Sequence, residues 1–495
     1  MRLGLAIGVM MAAGTAWAED PVTLKVMSFN IWYGGDQVNF AKVIEAIRAA
    51  DADIVGLQEP DGKTLELAAA AGYPYADTRR HILSRYPLFD SGLGETQSTE
   101  APPYSIAGVD PDAVHAWALV APGKVVAVAN THLTSDPYGP ELVRDGSTLE
   151  EVLQNEADTR LPEAQALIDG LGPVIASGAP VILTGDFNAP SWRDWTGRAP
   201  FAVEWPVSKV METAGFTDSY RAAHPDAAAN PGMTWTAGRP FPVIPEGETL
   251  DRIDFVWTAN ATVNDSTVVG EPGFADAGVT VAPWPSDHRA VLSTLEVVPV
   301  EAPAMVAVES RLVREGGDFL IRVSSPGGAV YSVAVVPAGG DGAEGAVTGI
   351  AEVDPADRPT VRLSTIGLAP GAWDAVMLGN EARELARTRF HVVPADGKAV
   401  LALAQDMVVP GGDIALRFEG APGFKLDWVG IYRKGAPSVY DYLGFAYTGA
   451  RISGDLVFPA SELYEELEPG EYEARLMFDD HYRVVAIAPF TVVEK

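Results

Sequence analysis

The sequence contains no cysteine among its 495 residues. Disulfide bonds are therefore excluded, and so are metal sites built from cysteine thiolates. A chain without such cross-links must be stabilised by hydrophobic cores that are large enough to fold alone, with or without bound ions. The length predicts two to four domains, because single cores stop growing at roughly 250–300 residues.

Basic residues are also scarce. The chain has 35 Lys and Arg against 67 Asp and Glu, which gives a formal net charge of −32. Such acidity repels nucleic acid and anionic membranes at long range. It argues against a protein that coats DNA non-specifically, although it permits an enzyme in which a metal ion bridges to phosphate.

Long apolar runs are absent except at the N-terminus, and no later segment is long enough to span a bilayer. Arg2 precedes an apolar region from Leu3 to Ala13, and Ala16-Trp17-Ala18 offers a small-x-small cleavage site. This pattern is that of a signal peptide over residues 1–18. We therefore expect an exported protein, periplasmic or extracellular, and the sequence identifies no protein partner.

Residues 22–298 alternate between strand-like and helical patterns, which predicts an α/β sandwich. The helical stripes lie in FAKVIEAIRAA (40–50) and LPEAQALIDGL (161–171). Between Thr134 and Leu161 a longer acidic segment reads as a surface excursion. The strand-like runs are rich in β-branched residues and end at Gly, Pro or polar clusters: TLKVMSFNIW, DIVGLQEP, HILSRYPL, AWALVAP, KVVAVANTHL, PVILTGDFN, RIDFVWT and AVLSTLEVV.

The remainder of the chain reads as two copies of one all-β unit. VVPVEAPAM (297–305) resembles a linker, VREGGDFLIRV (313–323) then matches VVPGGDIALRF (408–418), and LAPGAWDAVML (368–378) matches LEPGEYEARLMF (467–478). The size is that of a sandwich domain, so we predict two immunoglobulin-like units at 303–395 and 398–495. Trp428 and Tyr432 are interpreted as core aromatics rather than as a ligand-stacking platform.

Six strand ends in the first domain carry polar side chains. Each alone is explained by a turn or a cap, but six together predict a site. They are SFN (28–30), LQE (57–59), NTHL (130–133), TGDFN (184–188), RIDF (252–255) and SDH (286–288).

The residue types at these ends suit a hard divalent cation and phosphate chemistry. Glu59, Asn30 and Asp287 can supply the carboxylate and amide oxygens that Mg²⁺ or Mn²⁺ prefers, whereas zinc would require more His or Cys. Phosphoester cleavage needs a placed nucleophile and charge neutralisation. His288 can accept a proton from water if a carboxylate orients its other nitrogen, and Asp254 is the candidate.

Three further side chains can act on the phosphate. Asp186 and Asn188 are two residues apart, so they point the same way from a strand and can hold the nucleophile or a second metal. His132 can donate a hydrogen bond or a proton to the phosphate or the leaving oxygen. Asp251 in LDRIDF remains an alternative to Asp254 as the partner of His288.

The same series of motifs occurs in a known family. In the order Asn30, LQEP, ILSRYPL, NTHL, TGDFN, RIDFVW and SDHRAV, the chain resembles the endonuclease/exonuclease/phosphatase superfamily, which has the deoxyribonuclease-I-like fold. The resemblance implies a four-layer α/β/β/α sandwich with the site at one edge of its two sheets. It implies a metal site at Glu59, Asn30 and Asp287, an Asp254–His288 base, and Asp186, Asn188 and His132 around the phosphate.

The resulting hypothesis is a hydrolase that uses Mg²⁺, Mn²⁺ or Ca²⁺ to cleave a phosphodiester in a small molecule, a lipid head group or nucleic acid. A secreted endonuclease and a phosphomonoesterase are the alternatives that share the site. Arg79, Arg80 and Arg85 could line a groove for nucleic acid. An inactive binding protein is a further alternative, against which stands the presence of all the expected catalytic residues.

Overall fold

The computed structural model describes residues 20–78, 80–90, 114–197, 200–308, 312–324, 331–341, 348–353, 360–405, 407–421, 427–437, 441–449, 451–478 and 481–493. The expected signal peptide and Arg79 lie outside these residues. Among the described helices, none combines the length and the apolar character that crossing a bilayer requires.

The first domain contains fourteen described strands and seven described helices. The strands are β1 (Val22–Asn30), β2 (Ile54–Gln58), β3 (Tyr75–Asp77), β4 (Ile82–Ser84), β5 (Leu88–Asp90), β6 (His115–Ala121), β7 (Lys124–His132), β8 (Val181–Asp186), β9 (Thr217–Asp218), β10 (Asp254–Ala259), β11 (Ala261–Gly270), β12 (Ala277–Thr280), β13 (Ala290–Val297) and β14 (Val300–Glu301). The helices are α1 (Phe40–Ala50), α2 (Thr64–Ala71), α3 (Gly139–Arg144), α4 (Leu149–Asp158), α5 (Arg160–Ala176), α6 (Pro206–Thr213) and α7 (Ser219–Ala223).

These strands form two sheets. The first has the order β12-β11-β13-β1-β2-β4-β3, and the second has the order β5-β6-β7-β8-β10-β9, with β14 paired to β7. One buried cluster takes side chains from both sheets, among them Val26, Val128 and Ile182. A second cluster joins the first sheet to α1 and α2, and a third joins the second sheet to α5 and α6. The eight strand-like runs of the sequence contain β1, β2, β4, β6, β7, β8, β10 and β13, and both helical stripes are helices, whereas β3, β9, β11 and β12 were not predicted.

The two sheets can approach each other closely at β2 because this strand contains Gly56, which has no side chain. A Cβ atom at this position would lie 1.8 Å from the Thr184 hydroxyl oxygen on β8, so a side chain is excluded. Asn130 of β7 fills the same junction: its amide donates to the carbonyl oxygen of Leu57 at 2.8 Å, and its oxygen accepts from Thr184 at 2.8 Å. This buried polar contact fixes the two sheets relative to each other.

Two segments differ from the sequence expectation. The acidic segment after Thr134 forms α3 and α4, and α4 begins with a complete capping box between Thr148 and Glu151. The segment expected to be a linker instead forms β14, in which Val300 pairs with Val125 of the first domain. In both places the composition alone indicates a loop. The capping box in the first segment and the strand pair in the second give these residues regular structure.

The C-terminal part contains only strands and short 3₁₀ turns among its described residues. The strands are β15 (Met305–Val308), β16 (Leu312–Arg314), β17 (Asp318–Ser324), β18 (Tyr331–Pro337), β19 (Thr348–Val353), β20 (Thr360–Ser364), β21 (Gly371–Leu378), β22 (Glu384–Val393), β23 (Val400–Leu403), β24 (Ile414–Glu419), β25 (Trp428–Arg433), β26 (Tyr442–Tyr447), β27 (Gly454–Phe458), β28 (Gly470–Phe478) and β29 (His481–Val492). Their sheets repeat one arrangement. Three-stranded sheets β15-β17-β20 and β23-β24-β27 face larger sheets in which β22-β21-β18 corresponds to β29-β28-β25.

The aromatic pair of the second repeat is buried, as expected, but not in the core between its sheets. Val429 and Ile431 belong to that core, whereas Trp428 and Tyr432 join a separate cluster with Met477. Alternate residues of a strand point to opposite faces, so the two rings lie on the outer face of β25.

Candidate active site

Strand register brings the polar ends of the second sheet side by side. β7 is parallel to β8 and pairs His132 with Asp186, while β8 is antiparallel to β10 and pairs Asp186 with Asp254. Three residues that are far apart in the sequence thus stand in one row. The His132 Nε2 atom lies 3.5 Å from Asp186 Oδ2.

The first sheet contributes the facing residues. Asn30 ends β1, which is parallel to β2, and Glu59 directly follows β2 in a left-handed conformation with φ of 54°. The Asn30 amide nitrogen donates to Glu59 Oε1 and to Asp186 Oδ2, both at 3.0 Å. Glu59 Oε2 accepts the backbone N–H of Tyr33 at 2.9 Å. Asn30 therefore connects the two sheets and orients both carboxylates.

His288 is held by two carboxylates. Its Nδ1 lies 2.9 Å from Asp254 Oδ2, and its Nε2 lies 3.6 Å from Asp186 Oδ2. Burial alone would lower the pKa of His288, but the charges of Asp254 and Asp186 outweigh it and raise this pKa to about 10. Burial also raises the pKa of Asp254. The imidazole is thus held between two carboxylates, with Nδ1 on Asp254 and Nε2 facing Asp186.

The structure distinguishes the two aspartates of LDRIDF by their contacts. Asp254 contacts His288, whereas Asp251 accepts hydrogen bonds from the Trp195 indole at 3.0 Å and the Tyr138 hydroxyl at 3.3 Å. Thr234 supports this strand end from behind, because its hydroxyl oxygen accepts the backbone N–H of Asp254 at 3.1 Å. The geometry agrees with the choice of Asp254 as the partner of His288.

Asn188 sits two residues after β8, again in a left-handed conformation, with φ of 47°. Its backbone N–H donates to Asp186 Oδ1 at 2.9 Å and its amide donates to the carbonyl oxygen of Leu133 at 2.9 Å. The fully buried Arg160 binds the Asn188 carbonyl oxygen at 2.9 Å. The residues that follow Asp186 in TGDFN therefore form a turn, and its hydrogen bonds fix the direction of the Asp186 side chain.

Among the residues expected to bind a metal ion, Asn30 donates to Glu59, and Asp287 is close enough to Glu59 for their charges to interact. Asp287 is buried, and its pKa is raised to about 7 by burial and by the negative charge of Glu59. Two carboxylates that destabilise each other in this way suit a divalent cation, and oxygen ligands are those that Mg²⁺ prefers. The donor set therefore fits a hard cation. A second group of possible ligands, Asp186, Asp254 and His288, has ligand atoms within 4.8 Å of one another.

Six of the predicted site residues line one cavity of about 590 Å³: Glu59, His132, Asp186, Asn188, Asp287 and His288. Asn30 and Asp254 do not line it. The sequence patterns did not predict four other residues that line this cavity: Trp32, Tyr138, Trp235 and Arg239. Trp235 packs on His288 with ring centroids 4.7 Å apart, and the Arg239 guanidinium carbon lies 4.1 Å from the ring centroid of Trp235. These residues come from irregular segments, where no periodic pattern marks a position as part of a site.

Two of the three arginines proposed to line a nucleic-acid groove, Arg80 and Arg85, are engaged elsewhere. Arg80 is buried and pairs with Asp77, and Arg85 pairs with Asp51 and Asp53. Neither of them lines the cavity. Of the three arginines, only Arg79 lies outside the described residues.

The chain is similar to several known proteins. An uncharacterized protein of Caenorhabditis elegans is 27% identical over 262 residues, which are 47% of this chain and 78% of that protein. Similar solved structures include an endonuclease/exonuclease/phosphatase from Beutenbergia cavernae, at 16% identity and a TM-score of 0.33, with 74% of this chain and 99% of that chain covered. An AP endonuclease from Archaeoglobus fulgidus is 18% identical, with a TM-score of 0.32 and coverage of 55% and 98%. Residues 27–288 match the family described as Endonuclease/Exonuclease/phosphatase family, and this chain therefore belongs to that family.

Proposed function

We propose that the protein is an exported, divalent-metal-dependent phosphoesterase that hydrolyses a phosphodiester by in-line attack of water. The family typically contains metal-dependent phosphodiesterases and nucleases. The observation that carries the proposal is the convergence of His132, Asp186 and His288 in one cavity, with Asp254 bonded to His288 Nδ1. Export is supported by the signal-peptide pattern of residues 1–18 alone.

His288 acts as the general base in this proposal. Asp254 accepts a hydrogen bond from Nδ1–H, which leaves Nε2 as the acceptor for a proton of the attacking water. Asp186 lies within 3.6 Å of that nitrogen and orients the water through its carboxylate, while Asn188 holds Asp186 in place. Asp254 also stabilises the imidazolium that forms as water attacks.

The remaining groups act on the phosphate. His132 is half-exposed beside Asp186, where it can donate a hydrogen bond to a phosphate oxygen or to the leaving oxygen. Glu59 and Asp287 would hold the metal, and Asn30 would orient Glu59 or add its amide oxygen as a ligand. When bound, the cation supplies charge neutralisation for the phosphate and the leaving group. A positive charge bound there would also lower the pKa of His288.

Two architectural features are proposed with this function. The clusters on the outer faces of both sheets support the four-layer α/β/β/α arrangement of residues 22–298. The repeated sheet pairs of 303–395 and 398–495 support two immunoglobulin-like sandwiches as accessory units. Their sizes agree with independent domains.

The direct test measures hydrolysis of bis-p-nitrophenyl phosphate, p-nitrophenyl phosphate and plasmid DNA with Mg²⁺, Mn²⁺, Ca²⁺ or chelator. We expect turnover of the diester, loss of turnover with chelator, and loss in the variants His288→Ala and Asp186→Ala. His224→Ala is the control, because His224 bonds the Ser266 carbonyl oxygen away from the cavity. Full activity of either site variant would refute the mechanism. Exclusive cleavage of the monoester or of DNA would favour those alternatives, and absence of all turnover would favour an inactive binding protein.

A further inference from the structure

Arg160 is a buried cation at the start of a helix. It is the first residue of α5, and its side chain is fully buried. The helix macrodipole disfavours a positive charge at an N-terminus, and burying a guanidinium costs free energy unless acceptors satisfy it. The stability of α5 therefore gives no reason for an arginine at this position, and the reason has to lie in what the guanidinium binds.

The guanidinium of Arg160 binds two separate stretches of backbone. Nε donates to the carbonyl oxygen of Asn188 at 2.9 Å, and Nη2 donates to the carbonyl oxygen of Pro137 at 2.5 Å. Nη1 donates to the Thr159 hydroxyl oxygen at 3.0 Å. Glu156 Oε1 lies 3.5 Å from Nη2, and neither carboxylate oxygen of Glu156 has a hydrogen-bond partner among the described residues. Carbonyl groups, rather than a close ion pair, thus determine where the guanidinium lies.

The first of these carbonyl groups belongs to the turn that directs Asp186. Asn188 has a left-handed φ of 47°, which is uncommon for residues other than glycine. In this conformation its backbone N–H donates to Asp186 Oδ1 at 2.9 Å, while Arg160 binds the carbonyl oxygen of the same residue. A displacement of Arg160 would therefore reach the Asp186 carboxylate through one intervening residue.

The second carbonyl group belongs to a segment of the cavity wall. Pro137 lies between Asp136 and Tyr138, which both line the cavity. Its carbonyl oxygen also accepts a hydrogen bond from the Asn155 amide of α4 at 2.9 Å. Two segments that line the cavity, this one and the turn after β8, thus share Arg160 as a hydrogen-bond donor.

We propose that Arg160 is a positioning residue for hydrolysis. It does not line the cavity, but its guanidinium holds the turn that directs Asp186 and the segment that carries Tyr138 in a fixed relation. The inference rests on the proposed phosphodiesterase function and adds to it a residue outside the cavity. A planar guanidinium can bind both carbonyl groups at once, whereas the single ammonium of a lysine lacks this fork of donors.

The test compares Arg160→Lys with Arg221→Lys. Arg221 is the matched control, because it is also buried and donates to the carbonyl oxygens of His224, Asn230 and Pro231, none of which line the cavity. Both variants keep a positive charge and lose contacts to carbonyl oxygens. We therefore expect both to lower the free energy of unfolding in urea.

The kinetic constants separate positioning from a loss of stability. With bis-p-nitrophenyl phosphate and saturating Mg²⁺, kcat of Arg160→Lys is expected to fall by about 10- to 100-fold, because a displacement of about 1 Å can have this effect. KM should change by less than about twofold, since the metal and phosphate contacts remain. Mg²⁺ affinity in calorimetry should also stay native, because Glu59 and Asp287 belong to other segments. Arg221→Lys should keep the native kcat.

A milder variant serves if Arg160→Lys does not fold. Thr159→Ala removes the hydroxyl that accepts from Arg160 Nη1, and kcat should fall by about two- to tenfold at native KM. Native kcat in the folded variants of Arg160 or Thr159, an equal fall of kcat in Arg221→Lys, or weakened Mg²⁺ binding in Arg160→Lys would overturn the positioning role. Absence of turnover by the native protein with every metal would instead refute the proposed function.

Discussion

Replacing Asp254 with asparagine is expected to change both the pH dependence and the maximum rate of hydrolysis. Asp254 Oδ2 lies 2.9 Å from His288 Nδ1, and its charge is the largest of those that raise the pKa of His288. Asparagine keeps the shape of the side chain and removes the charge. Loss of one opposite charge at this distance lowers a pKa by about 1–3 units.

The sign of the effect follows from the role of His288. The neutral imidazole is the active base, so the rate rises as pH increases through the pKa of His288. A lower pKa moves this acidic limb of the pH–rate profile to lower pH. The imidazolium that forms during attack loses the same stabilisation, about 1.4–4 kcal/mol, so the plateau rate falls by about 10- to 1,000-fold.

The assay is kcat/KM for bis-p-nitrophenyl phosphate between about pH 5 and pH 10 at saturating Mg²⁺, the range that brackets the ordinary and the raised pKa of histidine. Asp251→Asn is the matched control, because Asp251 is equally buried at the same strand end but binds Trp195 and Tyr138. We expect the acidic limb of the pH–rate profile of Asp251→Asn to lie at the same pH as that of the native protein. An unchanged limb in Asp254→Asn would show that His288 is not the base or that Asp254 does not control it.

Three further predictions concern metal binding and stability. Glu59→Gln is expected to weaken Mg²⁺ binding by at least about tenfold in calorimetry, since the charge of a metal ligand is lost. The control Glu45→Gln on α1 should bind Mg²⁺ as the native protein does. Equal Mg²⁺ affinities of Glu59→Gln and the native protein would contradict the assignment of Glu59 as a ligand. Burial raises the pKa of Glu156 from 4.5 to about 7, so its destabilising effect is absent below pH 4.5, grows between pH 4.5 and pH 7, and is complete at higher pH. Glu156→Gln should therefore stabilise the protein against urea by about 3 kcal/mol at pH 8 and hardly at pH 4.5, and an equal gain at both values would exclude this cause. Arg252→Ala leaves Asp218 buried without the guanidinium that lies 2.7 Å from it. The free energy of unfolding in urea should therefore fall by about 3–5 kcal/mol. A decrease below about 1 kcal/mol, typical of an exposed ion pair, would contradict this prediction.

Much of the catalytic domain could be predicted because its signals are local. The helix at Phe40–Ala50 has the bounds of its apolar stripe, and the strand ending at Asp186 follows its β-branched run. Residues after Thr134 were less predictable, because acidic composition reads as loop unless the cap at Thr148 is recognised. The outward position of Trp428 was also hidden, since hydrophobicity alone does not tell which face of a strand packs against the other sheet.

The sequence by itself determined which chemical groups are available and on which strand ends they stand: carboxylates, amides and two histidines in an order that identifies the family. Tertiary structure decided which of them meet. Register across β7, β8 and β10 placed His132, Asp186 and Asp254 in one row, and packing of the two sheets brought His288 to Asp254 rather than to Asp251. It also added Trp235 and Arg239 to the cavity, because distances between segments far apart in the chain depend on strand register and sheet packing. Local spacing fixes only the contacts within a strand or a helix.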